Sequence, residues 1–306
     1  MLLNINELIK QKYFFNLISS TELQSKVEIP SRSFNFKSFN SKFSEYYPDK
    51  KLPSKEFLEW FIGFTEGEGS FTVSKYGKLL LTIYQATLDI QVLYYIKENL
   101  GFGSIGRVND KVSRLVIYDT KNIYLLCLLF NGNMVLPTRN ARFLTFLCAF
   151  NEKLLKKNIF SPIVPIMEYV KPSLDDCWLS GFTDGEGCFT ICFLSTSNKF
   201  RYIYLLTQKG VANKAVFEHI LSLFDCHGLV SCRSNKDLDV WDLRINGLRN
   251  CTALFPYFDK WSLRTKKLQS YLKWKEIYPR LVKGDHLKAD TRQELIDLAK
   301  KINKFD

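Results

Sequence analysis

Histidine is scarce in this chain, with three in 306 residues, at positions 219, 227 and 286. The eight cysteines, at 127, 148, 177, 188, 192, 226, 232 and 251, include no C-x-x-C pair. Zinc sites need Cys and His ligands at tight spacing, so neither a structural zinc nor a histidine-metal nuclease is expected. The thiols read as buried free cysteines in a reducing compartment. No apolar run reaches the roughly 18–20 residues that span a bilayer, so the chain reads as soluble, with no membrane partner. The opening stretch, MLLNINELIKQKYFFNLISS, lacks arginine and a clean apolar core, and does not read as a secretory signal. Acidic residues are in the minority: 31 Asp and Glu against 43 Lys and Arg leave a formal charge of +12. That excess points to a polyanionic partner, nucleic acid first.

What the chain does contain is a repeat. FTEGEGSF (64–71) returns as FTDGEGCF (182–189), 118 residues later. Residues 60–72 and 178–190 are identical at nine of thirteen positions. A long period present only twice means a duplicated domain and not a solenoid, in keeping with a length that suggests about two domains of roughly 150 residues. The organisation read from this is an N-terminal arm over 1–52, extended or partly disordered, then a first half over 53–158. A proline-bearing linker over 159–171 leads to a second half over 172–306 with a helical tail.

Each half repeats one order of elements. After the motif come strand-like runs at 70–75 and 78–87, or 188–194 and 201–208. A helix follows, ending before Gly101 or Gly228, glycines of the kind expected just past a helix end. A second hairpin turns at Asn109-Asp110 in one half and at Asn235–Leu238 in the other. A last helix covers Arg139–Lys157 or Leu263–Tyr278. The fold class is α+β, two pseudo-symmetric halves.

Ser54 and Ser173 read as N-caps of the two motif helices, with Asp176 completing an acidic capping box. Gly63 and Gly67, like Gly181 and Gly185, lie four apart on one helical face. Each costs up to ~1 kcal/mol against alanine inside a helix. The compensation expected is close approach of a second backbone, so the motif helices should pack on each other. Glu68 and Glu186 then end these helices, where the helix dipole disfavours a carboxylate by ~0.3–1 kcal/mol. Such carboxylates are either solvated or share a cation, and their duplicated glycine setting favours the cation. A hard Mg²⁺ that keeps waters and takes phosphate oxygens suits them. Glu66 and Asp184 read as solvated or capping charges, not ligands.

FIGFTEGEG (61–69) and LSGFTDGEG (179–187), with Trp60, Trp178, Phe71 and Phe189 around them, resemble the LAGLIDADG homing endonuclease family. The resemblance spans about residues 54–280. It implies two αββαββα halves with the motif helices at their interface and saddle-shaped sheets lying in the DNA major groove. It implies Glu68 and Glu186 as the metal-binding acids, with Gly67 and Gly185 beside them. The cofactor implied is Mg²⁺, with Mn²⁺ or Ca²⁺ able to enter the site and Ca²⁺ not supporting cleavage. The activity implied is hydrolysis of both strands of double-stranded DNA by a monomer, leaving 3′ overhangs. By the same resemblance Gln208, in TQK (207–209), is a candidate for ordering water. Leu88, in TLD (87–89), breaks the pattern in the first half, so the two strands are expected to be cut at different rates. Lys266 and Lys267, with Arg139, match the basic positions used near the scissile phosphates, and Lys267 is taken as catalytic.

A two-stranded ribbon presents alternating side chains to base edges in the major groove. In the first half Ser70, Thr72, Ser74 and Tyr76 are expected on one face, and in the second Cys188, Thr190 and Cys192. Lys78, Arg107, Arg114, Arg201, Arg233, Lys236 and Arg244 decorate the strands and turns as candidate guanine or phosphate contacts. The alternative from another class is an RNA-binding splicing cofactor, a maturase that acts on its own intron RNA. An intein is not expected, because KINKFD lacks the His-Asn end that splicing needs. Richness in Lys, Ile, Asn, Phe and Tyr suggests AT-rich coding DNA and an organelle, the mitochondrion before the chloroplast.

Overall fold

The computed structural model describes residues 32–233 and 239–305. After α1 (Lys37–Tyr46), the first half runs α2 (Lys55–Glu68), β1 (Gly69–Val73), β2 (Leu79–Ala86), α3 (Gln91–Leu100) and β3 (Ser104–Arg107). It closes with β4 (Val112–Ile117), α4 (Thr120–Phe130) and α5 (Pro137–Lys157). The second half runs α6 (Trp178–Glu186), β5 (Gly187–Phe193), β6 (Phe200–Lys209), α7 (Lys214–Leu223), β7 (Gly228–Cys232) and β8 (Val240–Asn246). Four helices follow: α8 (Leu248–Cys251), α9 (Phe255–Lys260), α10 (Lys267–Val282) and α11 (Ala289–Lys300). The class is α+β, and the halves are pseudo-symmetric. Their antiparallel sheets have the matching orders β1-β2-β4-β3 and β5-β6-β8-β7.

One face of each sheet is closed by aromatic packing. Phe71, on β1, meets Phe130 and Phe143 edge-on, with ring centroids 5.1 and 5.3 Å apart. Phe189, at the same place in the repeat, meets Phe258 edge-on at 5.5 Å and Trp274 at 5.2 Å. Such pairs add ~0.5–1.5 kcal/mol beyond the area they bury. The strands alternate accordingly: Phe189 and Ile191 are buried, while Thr190 is partly open and Cys192 exposed. On the first sheet the other face carries an open groove.

Helices α2 and α6 form the seam between the halves. A methyl group on Gly63 would overlap the Trp178 carbonyl, and one on Gly181 would overlap that of Trp60. A turn further on, a Cβ on Gly67 would lie 3.0 Å from the Gly185 Cα, and the reverse contact is also 3.0 Å. The four glycines thus sit at the crossing itself, where backbones touch without intervening side chains.

Several expectations need correction. The arm is not extended throughout: α1 lies within it, with Phe39 and Phe43 buried and the Tyr47 hydroxyl donating to Asn122 2.7 Å away. Its apolar stripe is only two aromatics spaced by four, too narrow to stand out in sequence. Residues 1–31 of the arm lie outside the described residues, as does the whole of the turn expected at 235–238, Lys236 included. Ser54 caps α2 as expected, accepting from Phe57 N–H. Ser173 does not cap α6, which begins only at Trp178. Its box with Asp176 closes the preceding turn, through bonds of 2.6 and 2.9 Å. Gly101 ends α3 with φ +73°, but Gly228 opens β7, and Asp225 takes the left-handed position after α7 at φ 44°. Helix α4 was not expected: TKNIYLLCLLF is apolar on nearly every side, so it carries no clear helical period. Among the described residues no helix is long and apolar enough to cross a membrane.

Candidate active site

Glu68 and Glu186 are the last residues of α2 and α6, and Gly69 and Gly187 turn each chain at once into a strand. A side chain on either of these glycines would run into Thr65 or Thr183. Both glutamate arms start at the point where the two backbones touch. The Glu68 Cγ lies 3.5 Å from where Gly185 would carry a Cβ, and the Glu186 Cγ lies 3.4 Å from the same point on Gly67. Both carboxylates therefore stand together at one end of the seam. Burial pushes the Glu68 carboxyl above its usual range and the charge of Glu186 adds to this, opposed by Lys267, Gln85 and Arg139. Burial likewise raises Glu186, opposed by Arg139 and Lys267. Half-buried carboxylates that remain raised beside two cations are under-compensated, and a further cation would relieve them.

The two basic residues come from α5 in the first half and α10 in the second. Arg139, near the start of α5, donates to the carbonyls of Gly67 at 2.7 Å and Gly69 at 3.4 Å. Lys267, the first residue of α10, donates to the carbonyls of Gly185 at 2.5 Å and Thr183 at 3.2 Å. Each cation thus sits at the negative end of a motif helix and donates to a carbonyl of its last turn, Gly67 or Gly185. Burial lowers the pKa of both, while Glu68 and Glu186 pull both back up.

Glu66 and Asp184 are not solvated. Glu66 accepts from the backbone of Val135 and Leu136, at 3.0 and 2.7 Å, and from the Trp178 indole at 2.5 Å. Asp184 accepts from the Trp60 indole at 2.8 Å, and from Arg264 and Thr265 N–H at 2.8 and 3.0 Å. Each acid fastens the loop that opens α5 or α10 in its own half and holds the tryptophan of the opposite half. That sets the positions of Arg139 and Lys267. Sequence reading missed this because the partners lie some 70 to 124 residues away.

The strand register also changes the glutamine assignment. Gly69 pairs with Ile83 and Gly187 with Leu206, so the first-half counterpart of Gln208 is Gln85, not Leu88. Gln85 lines the same cleft as Glu68, and its amide favours the ionised Glu68 carboxylate. Gln208 is buried, its oxygen accepts from Lys209 N–H at 2.9 Å, and its Nε2 has no partner. Leu88 points outward and is 64% exposed. Beyond the glutamines, Asp89 accepts from Lys266 N–H at 3.2 Å, while Asn213 bonds Thr138 through its hydroxyl at 2.9 Å. Each half thereby latches the start of the other half's basic helix. Burial pushes Asp89 up to about 6, with Asp184 adding and Lys266 opposing.

The expected DNA contacts sort by position. Ser70, Thr72, Lys78 and Arg114 line one open groove on the first sheet, with Thr82 and Tyr84. Arg107 and Arg201 are exposed on their strands, and Thr190 is partly open. Ser74 is instead bound into the hairpin turn, where its hydroxyl accepts from Lys78 N–H at 3.0 Å, and Tyr76 stands at the tip, 85% exposed. Strand β1 stops at Val73, which ends the alternation expected through Tyr76. Arg233 pairs with Asp242 at 3.0 Å and Arg244 lies 3.8 Å from the same carboxylate. Arg139 is turned inward to the seam.

Among the described residues no three Asp, Glu, His or Cys side chains gather as a metal cage. The donor set is two carboxylates at the seam, with the Gly67 and Gly185 carbonyls next to them. Each of those carbonyls already accepts one hydrogen bond and has a second lone pair. This oxygen donor set suits a hard oxygen-preferring ion that draws its remaining ligands from water or phosphate.

Residues 61–150 and 179–278 both match the family model described as LAGLIDADG endonuclease. The chain belongs to the LAGLIDADG endonuclease family. It is 35% identical over 262 residues to a probable intron-encoded endonuclease 4 of Neurospora crassa, covering 83% of this chain and 46% of that protein. The chain thus spans about half the length of that relative. It is 27% identical to a cox1 intron-2 37.2 kDa protein of Schizosaccharomyces pombe, covering 80% and 73% of the two chains. The LAGLIDADG fold is also that of I-SmaMI, solved bound to uncleaved DNA in the presence of calcium ions. The likeness has a TM-score of 0.64 at 17% identity and covers 81% and 99% of the two chains.

Proposed function

We propose that the chain is an endonuclease that recognises a long, asymmetric site in double-stranded DNA and hydrolyses both strands. The observation that carries this reading is the pairing of Glu68 and Glu186 at one end of the α2–α6 seam, flanked by Arg139 and Lys267. Glu68 and Glu186, with the Gly67 and Gly185 carbonyls, would hold divalent metal, Mg²⁺ or Mn²⁺, and Ca²⁺ without cleavage. Bound there, such an ion supplies an activated water, charge neutralisation at phosphorus and a stabilised leaving oxygen.

The chain's own residues do the rest. Lys267 and Arg139 keep positive charge beside the carboxylates where a phosphate arrives. Gln85 and Gln208 hold amides beside the two acids to orient water. The open sheet faces follow the major groove, with Ser70, Thr72, Tyr76, Thr190 and Arg114 toward bases and Lys78, Arg107, Arg201, Arg233 and Arg244 toward phosphates or guanines. One acid per strand accounts for the duplication, and staggered cuts leave 3′ overhangs. The halves over 53–158 and 172–306 act together as a monomer. The likeness to a protein named for a cox1 intron supports an intron-encoded, mitochondrial enzyme.

The test is incubation of the chain with a plasmid library of randomised sites, with and without Mg²⁺. Magnesium-dependent linear plasmid is expected. Binding to intron RNA, with no cutting in Mg²⁺ or Mn²⁺, would replace this reading with a splicing cofactor.

A further inference from the structure

The symmetry of the two cutting centres is broken by a segment that the repeat does not contain. After α11 the chain makes a short turn, with Ile302 N–H on the Ala299 carbonyl and Lys304 N–H on that of Lys301. Three contacts fix it. Ile302 is buried in the core, the Lys273 ammonium donates to the Lys301 carbonyl at 3.0 Å, and the Asn303 amide donates to the Phe189 carbonyl at 2.9 Å. Phe189 lies on β5, an edge strand, so the segment occupies an edge that would otherwise be open.

This anchoring delivers residues 303–305 to the Glu68 centre. Asn303, Lys304 and Phe305 line the same cleft as Glu68, Gln85 and Lys267. The Phe305 ring lies under the Lys266 ammonium, 5.5 Å from its centroid, an arrangement that favours the cation over the ring face. Lys266 is also tied through its backbone to Asp89. The cleft therefore carries Lys266, Lys267 and Lys304 around the acids Glu68, Asp89 and Asp184. Lys304 is exposed and also lines the neighbouring groove over β5, with Thr190. In the first half the chain leaving α5 is instead held to Asn151 through Ile163 and continues into the linker. Among the described residues no equivalent of the 303–305 turn follows α5.

We propose that Lys304 and Phe305 are part of the cutting centre around Glu68. Lys304 contacts a backbone phosphate of the strand cut there, and Phe305 positions the Lys266 ammonium toward that same strand. This rests on the nuclease reading and adds that the two strands are cut by unequally equipped centres. A lysine on a phosphate contributes affinity without base preference and releases counterions on binding.

The test uses the full chain and a duplex selected from the cleaved library, labelled on one strand or the other. Under single-turnover conditions in Mg²⁺, Lys304→Ala should slow one strand by roughly fivefold, the rate effect of about 1 kcal/mol. The other strand should be cut at its original rate. Lys304→Glu should act more strongly on that same strand, Lys304→Arg should restore it, and Phe305→Ala should slow it in part. The dependence of duplex binding on salt should become shallower by about one unit for Lys304→Ala. Thermal stability should be unchanged, because the Lys304 side chain is exposed. Equal slowing of both strands, or no change in either, overturns the proposal. An unaltered chain that cuts no member of the library overturns the nuclease reading, and Lys304 then stands or falls on the salt slope of binding to a random duplex.

Discussion

The Trp60 indole N–H, in one half, donates to the Asp184 carboxylate in the other at 2.8 Å, and Trp178 repeats the contact on Glu66 at 2.5 Å. The two contacts cross the seam in opposite directions. Each acid also holds the loop that leads to Arg139 or Lys267. The same side chains thus join the halves and set the cations beside Glu68 and Glu186.

Replacing Trp60 with Phe keeps most of the buried ring and removes one donor from a buried carboxylate. The expected loss is ~1–3 kcal/mol, the cost of leaving such an acceptor under-satisfied. Chemical denaturation of Trp60→Phe and Trp178→Phe, each against the unaltered chain, checks this. Losses below the error of the measurement would mean that the indole bonds are idle.

Stability should fall as pH rises through the neutral range. Burial pushes the carboxyls of Glu59 and Glu66 up to about 7 and that of Asp89 to about 6. In the unfolded chain such groups lose their protons near pH 4. Between about pH 4 and 7 the native state therefore holds more protons than the unfolded one, and unfolding free energy declines with pH. The decline should flatten above about pH 8, where both states are ionised. Denaturation midpoints measured from pH 5 to 8 at fixed ionic strength decide it, and a rising midpoint would contradict these burial assignments.

Much of this architecture was legible because duplication wrote it twice. The four seam glycines, the terminal glutamates and Phe71 with Phe189 recur at one offset, and each has a local physical reason to be where it is. What escaped depended on contacts distant in sequence. Glu66 looked solvated because nothing nearby in sequence announces Trp178 or Leu136. Gln85 was passed over because strand pairing, not the match to TQK, fixes which residue faces Glu68. Helix α4 escaped for the opposite reason, since an element buried on nearly all sides shows no polar face to mark its period.

The corrected register predicts which first-half position matters for cutting. Gln85→Ala removes the amide beside Glu68, and should slow one strand by roughly tenfold to a hundredfold if it orients the water there. Leu88→Ala alters an exposed side chain and should leave both rates unchanged. Strand-resolved rates for the two variants separate the assignments, and an effect at Leu88 without one at Gln85 would reverse them.

Glu68 and Glu186 should also reveal a conflict between stability and activity. Both carboxyls are raised chiefly by burial, so their ionised forms disfavour the native state at neutral pH. Glutamine keeps the shape and removes the charge. Glu68→Gln and Glu186→Gln should therefore abolish double-strand cutting, retain duplex binding, and raise the melting temperature of the metal-free chain at pH 8. Added Mg²⁺ should stabilise the unaltered chain more than either variant, because it binds the folded carboxylates and not their neutral replacements. Melting curves with Mg²⁺ and with a chelator test this without any cleavage assay. Variants that melt lower than the unaltered chain in chelator would show that the acids stabilise the seam, leaving no excess negative charge there for a metal to relieve.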